Sequence, residues 1–166
     1  MSTDPRQESS SQHDQCCRYL IGIGNYSMLD DSIGIRVIEA VVERELDQGF
    51  RALDLSGNLL NLLTYFRADV DQIVVVDSTQ MGSAPGTYRF FTPDLVRSEK
   101  ELGNFSTHEG DMLKVVELAR QMNYPIPKLS ILGIEPKEIC DQFGLSLELK
   151  QKMDEYVLAA VEAIGA

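Results

Sequence analysis

Cysteine is scarce in this 166-residue chain: Cys16 and Cys17 stand side by side near the start, and Cys140 is the only other one. Three cysteines in that pattern make no disulfide framework, and a reducing cytoplasm is the expected compartment. Basic residues are also few, 15 Lys and Arg against 26 Asp and Glu, for a formal net charge of −11. No basic stripe exists, which excludes nucleic acid as a partner. An acidic body suits solubility, a cation or a basic partner segment. No apolar run approaches the length that spans a bilayer, so no membrane insertion is expected. The opening "MSTDPRQESSSQHDQCC" has no apolar core and does not read as a signal peptide. There is no GK[ST], no GxSxG and no HExxH, which removes the nucleoside-triphosphate loop, the serine-hydrolase elbow and the two-histidine zinc helix. Only two histidines are present, His13 and His108. Cys140 in "KEICDQF" therefore has no pair of imidazoles around it and reads as an inert thiol.

What is present is an ordinary globular composition, 43% hydrophobic and 25% charged, in a length that suits one domain with a full core. Residues 1–17 read as a disordered polar tail and 18–166 as a single domain. "RYLIGIG" reads as a buried strand, and Ile35, Ile38, Val42 and Leu46, with Val41 beside them, mark an amphipathic helix over 32–47. "FRALDLS" follows as a strand and "NLLNLLTYFR" as a short helix. "QIVVVDS", with four consecutive Ile and Val residues, has the pattern of a central parallel strand. Gly82, Pro85 and Gly86 mark a turn before "TYRFF", an edge strand running antiparallel. Residues 109–122 form a helix with an inner stripe of Met112, Val115, Val116, Ala119 and Met122, and "KLSILGI" is the last strand. "GLSLELKQKMDEYVLAAVEAI" closes the chain as one helix, N-capped at Ser146 and buried through Leu149, Met153, Val157, Val161 and Ile164. The fold class expected is α/β, three-layer, with a mostly parallel twisted sheet of about five strands and helices on both faces.

The stretch "LIGIGNYSMLDDSIGIRVIEAV" looks like an anion loop but carries two anions of its own. Gly22 and Gly24 give half of a dinucleotide fingerprint, Ser27 occupies the third position, and Asp30 and Asp31 at the helix entrance repel a pyrophosphate. Asp30 suits a helix cap, and Asp31 suits capping and chemistry equally. Asp77 ends the "IVVV" strand. If the first and third strands are neighbours, it shares a crevice with the Asp31 loop at the carboxyl edge of the sheet; otherwise it is a strand-end turn residue. His108, at the entry to a helix in "FSTHEGDML", is either an uninvolved surface residue or a neutral imidazole offered to a cation. Two carboxylates and an imidazole in one crevice form a three-ligand site for a divalent transition metal with open positions.

"GIGNYSMLDDSIG", "IVVVDS" with "MGSAPGTYRFF", "STH" before a helix and "LGIEP" after the last strand, in that order, resemble the hydrogenase maturation proteases. The resemblance covers most of 18–166. It implies an endopeptidase of aspartic or metal-assisted type that removes a C-terminal extension from the nickel-loaded precursor of a [NiFe] hydrogenase large subunit. Asp31, Asp77 and His108 correspond to the family's metal-contacting trio, with Asp31 and Asp77 also catalytic. Asn25, Asp30, Ser56 and Gly57 are the expected substrate contacts. Nickel arrives with the precursor as the recognition mark, other divalent ions can occupy the site, and a monomer is expected. "LDLSGNLL" departs from the Asp-Gly-Gly-Ser/Thr stretch of relatives, and Ser32 replaces their Gly or Ala. Two other readings stand beside this one. A nickel-loading checkpoint or chaperone that does not cut needs the same trio. A receiver-like phosphoacceptor also uses an acidic pair and a strand-end Asp, but its pair follows the strand directly and a Lys ends its fifth strand.

Overall fold

The computed structural model describes residues 17–95 and 107–165, with the side chains of 107–110 outside the description. Five strands form one sheet: β1 (Arg18–Gly22), β2 (Arg51–Asp54), β3 (Gln72–Ser78), β4 (Tyr88–Phe91) and β5 (Lys128–Ile134). Their order is β2-β1-β3-β5-β4, parallel except for β4, which runs antiparallel along β5 at the edge. The helices are α1 (Ile33–Glu43), α2 (Thr107–Gln121), α3 (Leu147–Gln151) and α4 (Met153–Gly165), with 3-10 turns at Leu29–Ser32 and Leu59–Tyr65. Every residue of β3 is buried, because helices cover both faces of the sheet. Ile73 and Val75 pack with Met112, Val115 and Val116 of α2, and Val74 and Val76 pack with α1 and α4. Each such Ile or Val contributes roughly 1.5–3 kcal/mol relative to exposure. Among the described residues, no helix is long and apolar enough to cross a membrane.

The expected sheet and layers are present, and the differences lie at helix ends. α1 stops at Glu43, four residues before the expected end. Leu46 N–H donates to the Val41 carbonyl at 3.0 Å and Glu45 N–H to Val42 at 3.0 Å, with Glu45 at φ 54°. This is a Schellman turn, which ends a helix by placing one residue in the left-handed region. Leu46, beyond the end of α1, and Val42, on its outer face, are exposed, and the inner face is Ile33, Val37, Ile38 and Val41. α2 ends in the same way: Tyr124 N–H reaches Ala119 at 2.9 Å, Asn123 N–H reaches Arg120 at 3.1 Å, and Asn123 has φ 57°. Met122 therefore leaves the expected stripe and is exposed. The single C-terminal helix divides at Lys152, whose N–H turns to the Leu149 carbonyl at 3.1 Å. Its buried face includes Tyr156 and Ala160, while Met153 and Val161 are only partly covered. The expected short helix after β2 is a 3-10 helix, with Asn58 Oδ1 accepting from Leu60 N–H at 2.9 Å. Of the expected tail, residues 1–16 lie outside the described residues. The Cys17 carbonyl accepts from Asp71 N–H at 2.7 Å and so joins the body.

Candidate active site

β1 and β3 are neighbours whose connections leave toward opposite sides of the sheet, which makes the gap beyond their carboxyl ends the topological switch point. The chain reaches this gap by close packing. Ile23 N–H bonds to the Val76 carbonyl at 3.1 Å, continuing the β1–β3 ladder. Gly34, in the first turn of α1, lies so near both strand ends that a Cβ there would stand 2.2 Å from the Val76 carbonyl oxygen and 2.5 Å from that of Ile23. Gly24, at φ 135°, turns the chain under the acidic pair, and a Cβ there would meet the Asp31 carbonyl oxygen at 2.1 Å. Glycine at 24 and 34 lets the helix entrance sit on the strand ends.

The two neighbouring carboxylates do different work. Asp30 is wholly buried. Its Oδ2 accepts from the N–H groups of Lys137 and Glu138 at 2.9 and 3.2 Å, and its Oδ1 from Ser146 N–H at 2.7 Å. Around it, Leu29 N–H bonds to Gln142 at 2.7 Å and Gln142 N–H to Ser27 at 3.0 Å. Asp30 thus fastens the loop after β5 to the helix entrance. Asp30, expected as a substrate contact, is a buried carboxylate that holds three backbone donors. The Ser146 hydroxyl, expected as a cap, makes no capping bond; its backbone N–H serves Asp30 instead.

Asp31 points to the switch point. Its Oδ2 accepts from Asn25 N–H at 3.1 Å and its Oδ1 from the Ser78 hydroxyl at 2.6 Å. Ser78 directly follows Asp77, so Asp31 sits at the strand end that carries Asp77. Asp77 lies opposite Gly133 of β5 and continues the strand parity of Ile73 and Val75, the residues that face α2. Asp31 is 3% exposed and Asp77 1%, so the open crevice expected from the sequence is a buried corner. His108 is the second residue of α2, and its side chain lies outside the described residues. Among the described residues, no group of three His, Cys, Asp or Glu side chains is arranged to hold a metal ion.

Of the other expected contacts, Asn25 is exposed, its Oδ1 accepting from Ser27 N–H at 3.1 Å and Ser27 Oγ at 2.9 Å. Ser56 N–H is held by Asp54 Oδ1 at 2.8 Å in the turn after β2. Gly57 lines a groove of about 440 Å³ between that turn and α2, shared with Asp111, Lys114 and Leu118.

Three residues that sequence reasoning left without a role shape the same edge. Ser78 holds Asp31. Glu135, the acid of "LGIEP", accepts from Met81 N–H at 2.5 Å, and its backbone pairs with Thr87 and Gly86 at 2.8 Å each. The Tyr156 hydroxyl donates to the Gly86 carbonyl at 2.8 Å. Burial raises the Tyr156 phenol above its ordinary range, with the charges of Glu155 and Asp30 adding to it, so it remains a donor. The loop between β3 and β4 is fixed from both sides. On the surface, Lys137 Nζ meets Glu148 Oε1 at 2.5 Å; that hydrogen bond raises the lysine and lowers the acid. The Cys140 thiol is pushed up by desolvation first and by Glu138 next, which favours the unreactive protonated form.

The family model for hydrogenase maturation proteases of the HycI type matches residues 35–164. The chain is 30% identical over 149 residues to the hydrogenase expression/formation protein HoxM of Azotobacter vinelandii, covering 88% of this chain and 71% of that one. It is 25% identical over 158 residues to the hydrogenase 2 maturation protease of Escherichia coli K12, covering 88% and 91%. Its fold superposes on the hydrogenase maturating endopeptidase HybD from Escherichia coli with a TM-score of 0.72 at 21% identity, over 88% of this chain and 90% of that one. With the family model matched over most of the chain and relatives at this identity, the chain belongs to the hydrogenase maturation protease family.

Proposed function

We propose that this protein is the endopeptidase that removes a C-terminal extension from the nickel-loaded precursor of a [NiFe] hydrogenase large subunit, with the bound nickel as the mark for cutting. The observation that carries the reading is the clamp on Asp31 by Ser78 and Asn25 N–H, which holds one carboxylate at the strand end where Asp77 supplies the other. Asp31, Asp77 and His108 complete the shell of a nickel centre whose thiolates belong to the precursor. Carboxylate and imidazole alone have little preference for nickel, so the soft ligands must come with the substrate. Hydrolysis then needs one carboxylate to take a proton from the attacking water and return it to the leaving amine. The new C–O bond replaces the broken C–N bond. The groove that Gly57 lines would receive the flanking precursor chain, with Ser56 and Asn25 as further contacts.

The test uses matched precursors, one nickel-loaded and one nickel-free, with the products weighed by mass spectrometry. Only the loaded precursor is expected to lose its extension. Cutting of both equally removes nickel as the mark, and cutting of neither assigns the protein to a checkpoint that does not cleave. Asp31→Asn and Asp77→Asn are each expected to lower the cleavage rate at least about 100-fold, the low end of what acid–base catalysis supplies, with circular dichroism unchanged.

A further inference from the structure

The Asp77–Ser78 pair places two polar side chains on opposite faces of one strand. Ser78 follows Val74 and Val76 in parity, faces the α1 side and is buried. Its single hydroxyl proton is committed to Asp31 Oδ1 at 2.6 Å. Burial alone does not produce such a bond here, since the adjacent Thr79 Oγ1 is buried without a partner among the described residues. Asn25 N–H donates to the other oxygen of Asp31 from beyond the carboxyl end of the neighbouring β1. Two donors on the two oxygens, one from β3 and one from the loop after β1, fix the plane of the carboxylate.

We propose that Ser78 is a positioning residue for the reaction: its hydroxyl sets the direction in which Asp31 meets the incoming metal centre. The proposal rests on the reading of Asp31 as a metal-contacting group. Donors behind a ligating carboxylate typically change metal affinity 10–100-fold when removed. Ser78 gives Asp31 such a donor from within the strand that presents Asp77, which couples the aim of the first acid to the position of the second.

The test titrates the full chain with cadmium, followed calorimetrically and by cadmium NMR, beside thermal melts of every variant. Ser78→Ala is expected to bind cadmium 10–100-fold more weakly than the unmodified chain, with a shifted cadmium resonance. Ser78→Thr, which keeps the hydroxyl, is expected to restore both. A merely structural serine lowers the melting temperature of Ser78→Ala and leaves the cadmium affinity of the folded protein unchanged; that result overturns the proposal. Should Ser78→Ala fail to fold, Ser78→Val beside Ser78→Thr compares nearly the same shape without and with the hydroxyl, and equal cadmium affinity in the two overturns the proposal. Asp31→Asn separates the two levels. If it loses cadmium while Ser78→Ala does not, positioning alone is wrong. If Asp31→Asn binds as tightly as the unmodified chain, or the unmodified chain binds no cadmium, the metal-contacting role of Asp31 falls, and that of Ser78 with it.

Discussion

The carboxylate of Asp30 accepts three backbone N–H groups in the protein interior, contributed by residues 137, 138 and 146. Asn in its place has one accepting oxygen and must turn an N–H₂ toward at least one of those donors. Leaving a buried donor unpaired and losing the charge from the remaining bonds costs about 2–4 kcal/mol. Asp30→Asn is therefore expected to lower the unfolding free energy from urea denaturation by that amount, whereas Asp31→Asn, whose described donors are a hydroxyl and one backbone N–H, changes it less. Equal losses in the two variants contradict this division of labour. The acidic pair was legible in the sequence as a departure from an anion loop, and the switch point was legible from the alternation of strands and helices. Which acid faces inward was not, because the partners of Asp30 are backbone groups more than 100 residues away and carry no side-chain signature. Ser78 was hidden for a related reason: a serine at a strand end reads as a boundary, and only the register of β1 beside β3 brings it to Asp31.

At the scale of elements, α1 and α2 both close with non-glycine residues in the left-handed region, Glu45 and Asn123. Asn tolerates that region through its short polar side chain; Glu does not. Glu45→Gly is expected to raise stability by roughly 0.5–1 kcal/mol, the steric cost removed less the added chain entropy, read as a higher melting temperature with unchanged helix content. A neutral or destabilising result means that Glu45 makes compensating contacts. Apolar residues continue past the last turn of α1 with neither a glycine nor a proline directly after it, so periodicity overran that end, whereas Asn123 and Pro125 follow α2 and its end was placed within one residue. The strands were easier to read. Continuous Ile and Val between polar residues can be satisfied in "QIVVVDS" only by cover on both faces, and β3 lies at the middle of the sheet. The C-terminal helix has no glycine or proline at Lys152, so its division there carried no signal.

Over the whole molecule, a net charge of −11 acts on every part of the fold. The ion pairs among the described residues are surface pairs such as Arg44–Asp154 at 2.8 Å and Arg67–Asp69 at 3.0 Å, each of which contributes little. Self-repulsion is then the larger electrostatic effect. The melting temperature is expected to rise when sodium chloride increases from about 0.01 M, where charges act over about 30 Å, to about 0.15 M, where they act over about 8 Å. A fall over that range gives the surface pairs the greater weight.

The fastening of Asp30 to residues 137–146 also has a bearing on how the protein is made. A chain emerging from the ribosome amino end first displays its acidic pair long before the backbone groups that anchor it exist. That anchorage can form only after residues 137–146 have been made, so the order of synthesis sets when the helix entrance gains its backbone partners.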